Sequence, residues 1–151
     1  KVGNKVFIIG GDLVGCETAE FLADRGKQVT IARRSQFIAN KMNPDMRMLL
    51  VDRLRNKGVR MLTGVQYQQA TDTGIRVHMR GGITSMAEIA ADAMKNFPAD
   101  TFVLAAGSVP NNELQAALKG KGVKVKCIGD CVEARTMLEA IKEGWQAALE
   151  I

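Results

Sequence analysis

The sequence predicts a three-layer α/β fold with a central parallel sheet and a small antiparallel β-meander. Short apolar runs alternate with segments of helical periodicity, the first run ends in a glycine pair, and two later segments of strand-like pattern flank a short polar turn. Apolar runs of this length are typical of strands buried in a parallel sheet. Their alternation with helices favours a sheet with helices on both faces.

The first elements form one β-α-β unit. Lys5–Ile9 predicts a buried strand, and helical spacing of apolar residues then begins at Leu13 and continues to Gly26, a natural helix stop. Gln28–Ala32 predicts the second strand. Strand, glycine turn, helix and strand within about 30 residues indicate a Rossmann-like domain.

The next helix is marked at its start by Asn43, Pro44 and Asp45, which supply a capping side chain, a proline in the first turn and an acid near the positive helix end. Gly58 ends this helix. The remaining predicted elements are strands over residues 59–62, 65–70, 74–79, 101–105 and 123–128 and helices over residues 84–98, 112–118 and 134–150, with 65–70 and 74–79 antiparallel.

The composition fits one globular domain. Of 151 residues, 46% are hydrophobic and 25% charged, and no apolar run approaches the roughly 18 residues of a membrane span. The chain opens on Lys1 without a signal-peptide pattern, and we expect it to be a piece of a longer protein. Three cysteines, Cys16, Cys127 and Cys131, make no disulfide framework or metal site, which favours a reducing, cytoplasmic compartment. The single histidine, His78, alternates with apolar neighbours and is interpreted as a strand residue.

The net charge of +5 raises the question of nucleic-acid binding. The basic residues are spread along the chain, and aromatic residues, which would stack on bases, make up only 5% of it. A basic cofactor pocket and a solvated surface explain the charge better.

The stretch VFIIGGDLVGCETAEFLADRG carries a degenerate dinucleotide fingerprint, G-x-G-x-x-G. Gly10 and Gly15 fill its first and third positions, Gly11 adds a glycine, and Asp12 replaces the middle one. In this motif the glycines permit the tight turn, the approach of the diphosphate and close helix packing, and the helix start faces the phosphates. We expect Asp12 to cap the helix and to weaken the dinucleotide site by repulsion.

Arg33 and Arg34 follow the second strand, where an acidic residue would bind the ribose 2′-hydroxyl of NAD. Guanidinium groups at this point suit the 2′-phosphate of NADP instead, through charge-assisted hydrogen bonds. The alternative interpretation is a solvated basic turn.

Four stretches together resemble one known family: IIGGDLVGCETAEFLADRGKQVTI, MNPDMRMLLVDRLRNKGV, TFVLAAGSVPNNEL and CIGDCVEARTMLEAIKEGWQAALEI. The chain is similar to the pyridine-nucleotide half of the FAD-dependent pyridine nucleotide–disulfide oxidoreductases. More narrowly, it resembles the C-terminal region of NADH:flavin oxidoreductases of the 2-enoate reductase, 2,4-dienoyl-CoA reductase and trimethylamine dehydrogenase group. The resemblance covers most of the chain and is poorest over residues 84–96.

The resemblance implies an FAD/NAD(P)-binding fold and particular roles. Glu17 would lie near the nicotinamide, Asp130 would hydrogen-bond the ribityl chain of FAD, and the helix from about Arg135 would point its positive end at the flavin ring. Residues 1–118 would form the NAD(P)-binding domain and residues 119–151 a return segment of the FAD-binding domain, packed here as one domain. With the two arginines, the candidate cofactor-binding residues are Gly10, Gly11, Asp12, Leu13, Val14, Gly15, Glu17, Arg33, Arg34, Ala106, Gly107, Gly129 and Asp130.

The departures from the family pattern limit the activities that the sequence supports. There is no second glycine fingerprint, no C-x-x-x-x-C dithiol and no cysteine run for an iron–sulfur cluster.

The favoured hypothesis is an NAD(P)H-binding domain that positions the nicotinamide for hydride transfer to flavin in a larger FAD-dependent oxidoreductase. NADP is the expected coenzyme, with NAD as the alternative. The expected partners are the nicotinamide dinucleotide and the FAD- or FMN-binding part of the parent chain, with no nucleic acid and no membrane. No catalytic side chain and no turnover by the isolated chain are expected.

Two rival hypotheses come from other classes. A degenerate nucleotide-binding domain that serves as a structural or docking module is supported by Asp12. A methyltransferase would also bind an adenosine ligand after a first strand, but the IGDC segment and the terminal helix fit it poorly.

Overall fold

A four-stranded parallel sheet forms the centre of the computed structural model, which describes residues 1–80, 83–85, 88–89 and 93–150. β1 (Lys5–Ile9) lies between β2 (Gln28–Ala32) and β9 (Thr101–Leu104), and β3 (Arg60–Leu62) pairs with β2. All three pairings are parallel, so the carboxyl ends of the strands lie at one edge of the sheet. The predicted β-α-β unit is confirmed.

Two helices, α1 (Leu13–Ala23) and α2 (Pro44–Asn56), cover one face of this sheet. Their apolar side chains pack with those strand residues that point to this face. The helix start predicted around Pro44 is confirmed, since the Asn43 side chain accepts a hydrogen bond of 2.9 Å from the Asp45 N–H. The core on this face contains Val6, Ile8, Cys16, Ala19, Leu22, Val29, Ile31, Ile38, Ala39, Leu50, Leu54 and Val59.

Among the described residues 1–106, the opposite face is covered by an antiparallel sheet and not by helices, so the prediction of helices on both faces is wrong for this part of the chain. Phe7 alternates with Val6 and Ile8 along β1 and therefore points to this second layer. The predicted β-meander is confirmed: its sheet has the order β4 (Val65–Thr71), β5 (Gly74–Met79) and β8 (Ala93–Pro98), and it packs on Phe7, Ala32 and Leu62.

The helix predicted over residues 84–98 is wrong wherever that segment is described. The chain instead forms β6 (Ile83–Ser85), β7 (Glu88–Ile89) and β8, while residues 86–87 and 90–92 lie outside the described residues. β8 pairs with the whole of β5, and Phe97 is buried opposite Ile75. This non-local pairing overrides the helical spacing of the apolar residues.

The chain forms two compact units, Lys1–Ala106 and Gly107–Ile151. The predicted assignment of residues 1–118 to an NAD(P)-binding domain and of residues 119–151 to a return segment stays a prediction. Among the described residues of the second unit only Gly129 is buried, so this unit lacks the buried apolar side chains of a core.

The second unit contains α3 (Glu113–Leu118), a 3₁₀ turn (Gly129–Cys131) and α4 (Met137–Ala148). The strand predicted over residues 123–128 is wrong: this segment has no regular structure, because no strand of the described second unit lies beside it to complete a ladder. In the described ranges, every helix is too short or too polar to span a bilayer.

Candidate functional site

The turn between β1 and α1 depends on the absence of two side chains. Gly10 has φ +117°, and a Cβ added to it would come closer than 3.0 Å to the carbonyl oxygen of Ala105. A Cβ on Gly15 would come equally close to the carbonyl oxygen of Gly10. The close backbone approach at Gly10 makes the tight turn, and that at Gly15 lets the helix pack closely on the strand. These are the two reasons for which the fingerprint requires glycine.

The N-terminus of α1 opens at the carboxyl end of β1. Asp12 is the N-cap residue, but its side chain makes no capping hydrogen bond, so the capping role predicted for it is wrong. The first intrahelical bond runs from Cys16 N–H to Asp12 O at 3.0 Å. The first-turn N–H groups therefore have no intrahelical partner and suit an anion. These groups belong to Leu13, Val14 and Gly15.

The Asp12 carboxylate pairs with Arg33 instead of capping the helix. Nη1 of Arg33 donates to Asp12 Oδ1, Nε donates to Ser35 Oγ, and Nη2 donates to Asn40 Oδ1 at 2.7 Å. The Arg33 side chain is 14% exposed and that of Asp12 43%. Asp12 and Arg33, the two residues that depart from the expected pattern, thus form one ion pair. The charge of each side chain neutralises that of the other.

Backbone bonds tie the loop after β2 to the glycine turn and to the segment after β3. Ala39 N–H donates to Gly11 O at 2.6 Å, and Gly64 N–H donates to Ser35 O at 3.0 Å. A Cβ on Gly11 would stand 3.1 Å from Cβ of Arg33, so the arginine stem packs directly on this turn. The position of the guanidinium is therefore set by both segments.

A pocket of about 340 Å³ lies at this edge of the sheet, within the size range of small-molecule sites. Its wall combines the glycine turn, the ends of β1 and β2, and the segment after β9. The lining residues are Ile9, Gly10, Gly11, Asp12, Arg33, Arg34, Ser35, Tyr67, Ala105 and Ala106. Those that the sequence predicted are Gly10, Gly11, Asp12, Arg33, Arg34 and Ala106.

The other candidate residues lie outside this wall. Leu13 and Val14 are exposed at the start of α1, Gly15 is buried beneath the turn, and Glu17 is exposed further along the helix. The candidates beyond residue 106 belong to the second unit, namely Gly107, Gly129 and Asp130.

Sequence reasoning missed Tyr67, which reaches the pocket from β4 in the antiparallel sheet. Its hydroxyl donates a hydrogen bond of 2.7 Å to the carbonyl oxygen of Ala32, at the end of β2. Burial raises the pKa of Tyr67, although the nearby charge of Arg34 opposes the shift. An aromatic residue with a polar tip in a strand gives no sequence signal of this contact, since it depends on how the two sheets stack.

Cys16 lies directly under the glycine turn. Its thiol is buried, and Sγ is 3.8 Å from Gly11 O. Burial, and secondarily the charge of Asp12, raises the pKa of Cys16 to about 12. The predicted interpretation as a buried thiol is confirmed for this residue, and no nucleophile is available here.

In the second unit, Gly129 and Asp130 lie in the 3₁₀ turn that precedes α4. Gly129 N–H donates to Glu143 Oε2 at 2.6 Å, and Arg135 N–H donates to Asp130 Oδ1 at 3.4 Å. Glu143 is also paired with Arg135, and these bonds lower the pKa of the Glu143 carboxyl, the Gly129 bond most. The turn is thus tied to the helix, while Asp130 remains exposed.

Comparison with known proteins agrees with this geometry. Residues 1–144 match the family described as pyridine nucleotide-disulphide oxidoreductase. A bilirubin reductase of Mediterraneibacter gnavus is 35% identical over 145 residues, 95% of this chain and 21% of that protein. An NADH oxidase of Thermoanaerobacter brockii is 33% identical over 149 residues, 97% of this chain and 21% of that protein.

A solved structure shares both the fold and part of the sequence. A 2-naphthoyl-CoA reductase in complex with 2-naphthoyl-CoA superposes with a TM-score of 0.87 and 28% identity, over 100% of this chain and 22% of that one. The chain spans about a fifth of the length of these relatives. With the family match extending over residues 1–144, the chain belongs to the pyridine nucleotide-disulphide oxidoreductase family.

Proposed function

We propose that the pocket binds the diphosphate and adenosine part of a nicotinamide dinucleotide. The observation that carries this proposal is the placement of the Gly10 turn, the start of α1 and the arginines around one pocket at the carboxyl ends of parallel strands. Ligands of open α/β sheets bind at this edge. Turn and helix N–H groups suit the diphosphate, and a guanidinium suits a phosphate on the ribose.

On this proposal the chain is the NAD(P)H-binding domain of a larger FAD-dependent oxidoreductase. Family membership implies the use of a pyridine nucleotide and FAD, and the relatives extend well beyond the matched part. The reduced nicotinamide supplies a hydride to flavin, while the protein contributes position and electrostatics. In the turn before α4 Asp130 is exposed and Gly129 is buried, and this turn would face the flavin. The free cysteines support a cytoplasmic location.

NADP is the proposed coenzyme. Two arginines rather than an acid follow β2, and both line the pocket. Arg34 is exposed and makes no ion pair or hydrogen bond with the described residues, so its guanidinium is available for a 2′-phosphate.

The test is calorimetric titration of the chain with NADPH, NADH and S-adenosylmethionine. We expect one site, tighter binding of NADPH than of NADH, and no binding of the methyl donor. Arg55→Met on α2 is the control, because it removes one positive charge from an exposed residue that does not line the pocket. Tighter binding of NADH would contradict the NADP preference alone. Absence of binding by either coenzyme would contradict the proposed function.

A structural or docking domain remains the second candidate, favoured by the Asp12–Arg33 pair in the pocket wall. Asp12→Gly separates the two. If that variant binds a coenzyme and the wild type does not, the native pocket is closed by its own side chains. If both bind, Asp12 is compatible with the ligand.

A further inference from the structure

We propose that Arg33 is a positioning residue that screens the Asp12 carboxylate, and that Arg34 is the residue that recognises the 2′-phosphate of NADP. The inference rests on the proposed function. It assigns separate roles to two neighbouring arginines that the sequence presents as one phosphate-binding pair.

Asp12 creates the need for a counter-charge. Its carbonyl oxygen accepts the first hydrogen bond of α1, and its side chain lines the pocket close to the turn that would receive a diphosphate. An unpaired carboxylate at this point would repel both phosphates, whichever nicotinamide coenzyme carries them. The ion pair with Arg33 cancels that charge while leaving the first-turn N–H groups of α1 uncapped by the side chain.

Arg33 is held in this screening position. All three of its guanidinium nitrogens donate hydrogen bonds, to Asp12, Ser35 and Asn40. Its stem packs on Gly11 and only 14% of the side chain is exposed. Binding a 2′-phosphate directly would require Arg33 to leave Asp12, which would return a negative charge to the diphosphate site. The geometry therefore favours Arg33 keeping its present partners.

Arg34 has the opposite properties. It lines the same pocket and is exposed, and within the described part of the chain no acidic group pairs with it. Its guanidinium can approach a phosphate at the tip of β2 without breaking an ion pair. A planar group with several N–H donors suits bidentate phosphate recognition.

The test is a double-mutant cycle of Asp12→Asn and Arg33→Met, with Arg34→Met in parallel and Arg55→Met as the charge control. Affinities for NADPH, NADH and inorganic diphosphate are measured by calorimetry at fixed ionic strength, and folding by circular dichroism. Arg33→Met should lower the affinity for all three ligands by at least about tenfold. A tenfold loss corresponds to about 1.4 kcal/mol of binding free energy. Adding Asp12→Asn should restore affinity to within about threefold of the wild type.

Arg34→Met should lower the affinity for NADPH by about tenfold and leave the affinities for NADH and diphosphate unchanged. Arg33→Lys, which keeps the charge, should bind all three ligands nearly as the wild type does, and it serves as the test if Arg33→Met does not fold.

The inference is overturned if loss of Arg33 weakens NADPH alone and Asp12→Asn gives no recovery, because Arg33 would then contact the 2′-phosphate itself. Unchanged NADPH affinity in Arg34→Met overturns the role of Arg34. These outcomes leave coenzyme binding by the wild type intact. If the wild type binds neither coenzyme, the proposed function fails, and the inference fails with it.

Discussion

Gly15 lies against the backbone of Gly10, so close that a Cβ added to Gly15 would come within 3.0 Å of the Gly10 carbonyl oxygen. The obstructing atom belongs to the backbone, and rotation of a side chain cannot relieve the contact. Any side chain would push α1 away from the sheet on which it buries Cys16, Ala19 and Leu22. The same contact therefore determines the packing of the helix and the position of its N-terminus in the pocket.

Gly15→Ala should lower the free energy of unfolding by about 1–3 kcal/mol, the usual cost of overpacking, and should also weaken NADPH binding. Urea denaturation and calorimetry measure the two effects. The control is Gly144→Ala in α4, where the described residues place no atom within 4 Å of the added Cβ apart from its chain neighbours and the backbone of its own helix. Alanine is the better helix former there, so the stability should stay constant or rise by up to about 1 kcal/mol. Equal changes of stability in the two variants would contradict the close packing of Gly15 on the backbone of Gly10.

Part of the stability that the protein loses in acid should come from Asp100. Its carboxylate accepts hydrogen bonds of 3.0–3.1 Å from the N–H groups of Asn4 and Lys5 at the start of β1. These bonds, that of Lys5 most, lower the pKa of Asp100 below its ordinary 3.8. A lowered pKa in the folded state gives stability that is present above the unfolded value and is lost as pH falls through the folded one.

Asp100→Asn should therefore reduce stability at neutral pH and flatten its decline in acid. Urea midpoints measured from neutral to strongly acidic pH test this expectation. Asp72→Asn, in the exposed turn between β4 and β5, is the matched control. An unchanged acid profile in Asp100→Asn would show that the backbone bonds do not stabilise the ionised carboxylate.

The β-α-β unit was predictable because every signal in it is local: the apolar run, the glycine turn and the helix stop. The Asp12–Arg33 pair is separated by 21 residues in sequence, yet it follows from the same unit. A parallel pairing of β1 with β2 brings the end of β2 beside the turn that leaves β1. Sequence reasoning identified both residues, but it assigned Arg33 to the 2′-phosphate and Asp12 to the cap of α1. Opposite charges at adjoining strand ends were the available signal for their pairing.

Elements whose structure depends on distant partners were not predictable in this way. The apolar spacing of residues 93–98 fits a helix, and only pairing with β5 makes the segment a strand. Residues 123–128 have an apolar alternation but no neighbouring strand within the described second unit. Tyr67 reaches the pocket because two sheets stack, a relationship that no local pattern contains.

Tyr67 is the single tyrosine, so its ionisation can be followed directly by the near-ultraviolet absorbance of the phenolate. Burial raises its pKa above the ordinary value of 10.0. A raised pKa in the folded state gives stability that is present below the unfolded value and is lost as pH rises through the folded one. The native titration midpoint should exceed that in urea, and Tyr67→Phe should abolish the signal. Equal titration midpoints in the native protein and in urea would mean that the phenol is not buried.

Loss of the Tyr67 hydroxyl should lower the free energy of unfolding only slightly. The carbonyl oxygen of Ala32 also accepts a hydrogen bond of 2.9 Å from Gly10 N–H, and it stays satisfied in Tyr67→Phe. We expect a decrease in stability of about 0.5–1.5 kcal/mol, the usual net value of one hydrogen bond. Thermal unfolding near neutral pH measures it. A larger loss would show that the phenol also fixes the end of β2.

Thiol reactivity should report whether the glycine turn stays closed. Cys16 is buried with its pKa raised to about 12, whereas Cys127 and Cys131 are half-buried. Because the reagent must reach the sulfur, iodoacetamide at mildly alkaline pH should modify the half-buried Cys127 and Cys131 in the native protein and reach Cys16 only in urea. Burial, and then the hydrogen bond with Cys131, raises the pKa of Cys127, so its labelling should be slow. Peptide mass spectrometry assigns the sites, and Cys16→Ala confirms the assignment. Rapid native labelling of Cys16 would mean that the turn opens on the timescale of the reaction. In that case, NADPH should slow the labelling if the coenzyme binds across this turn.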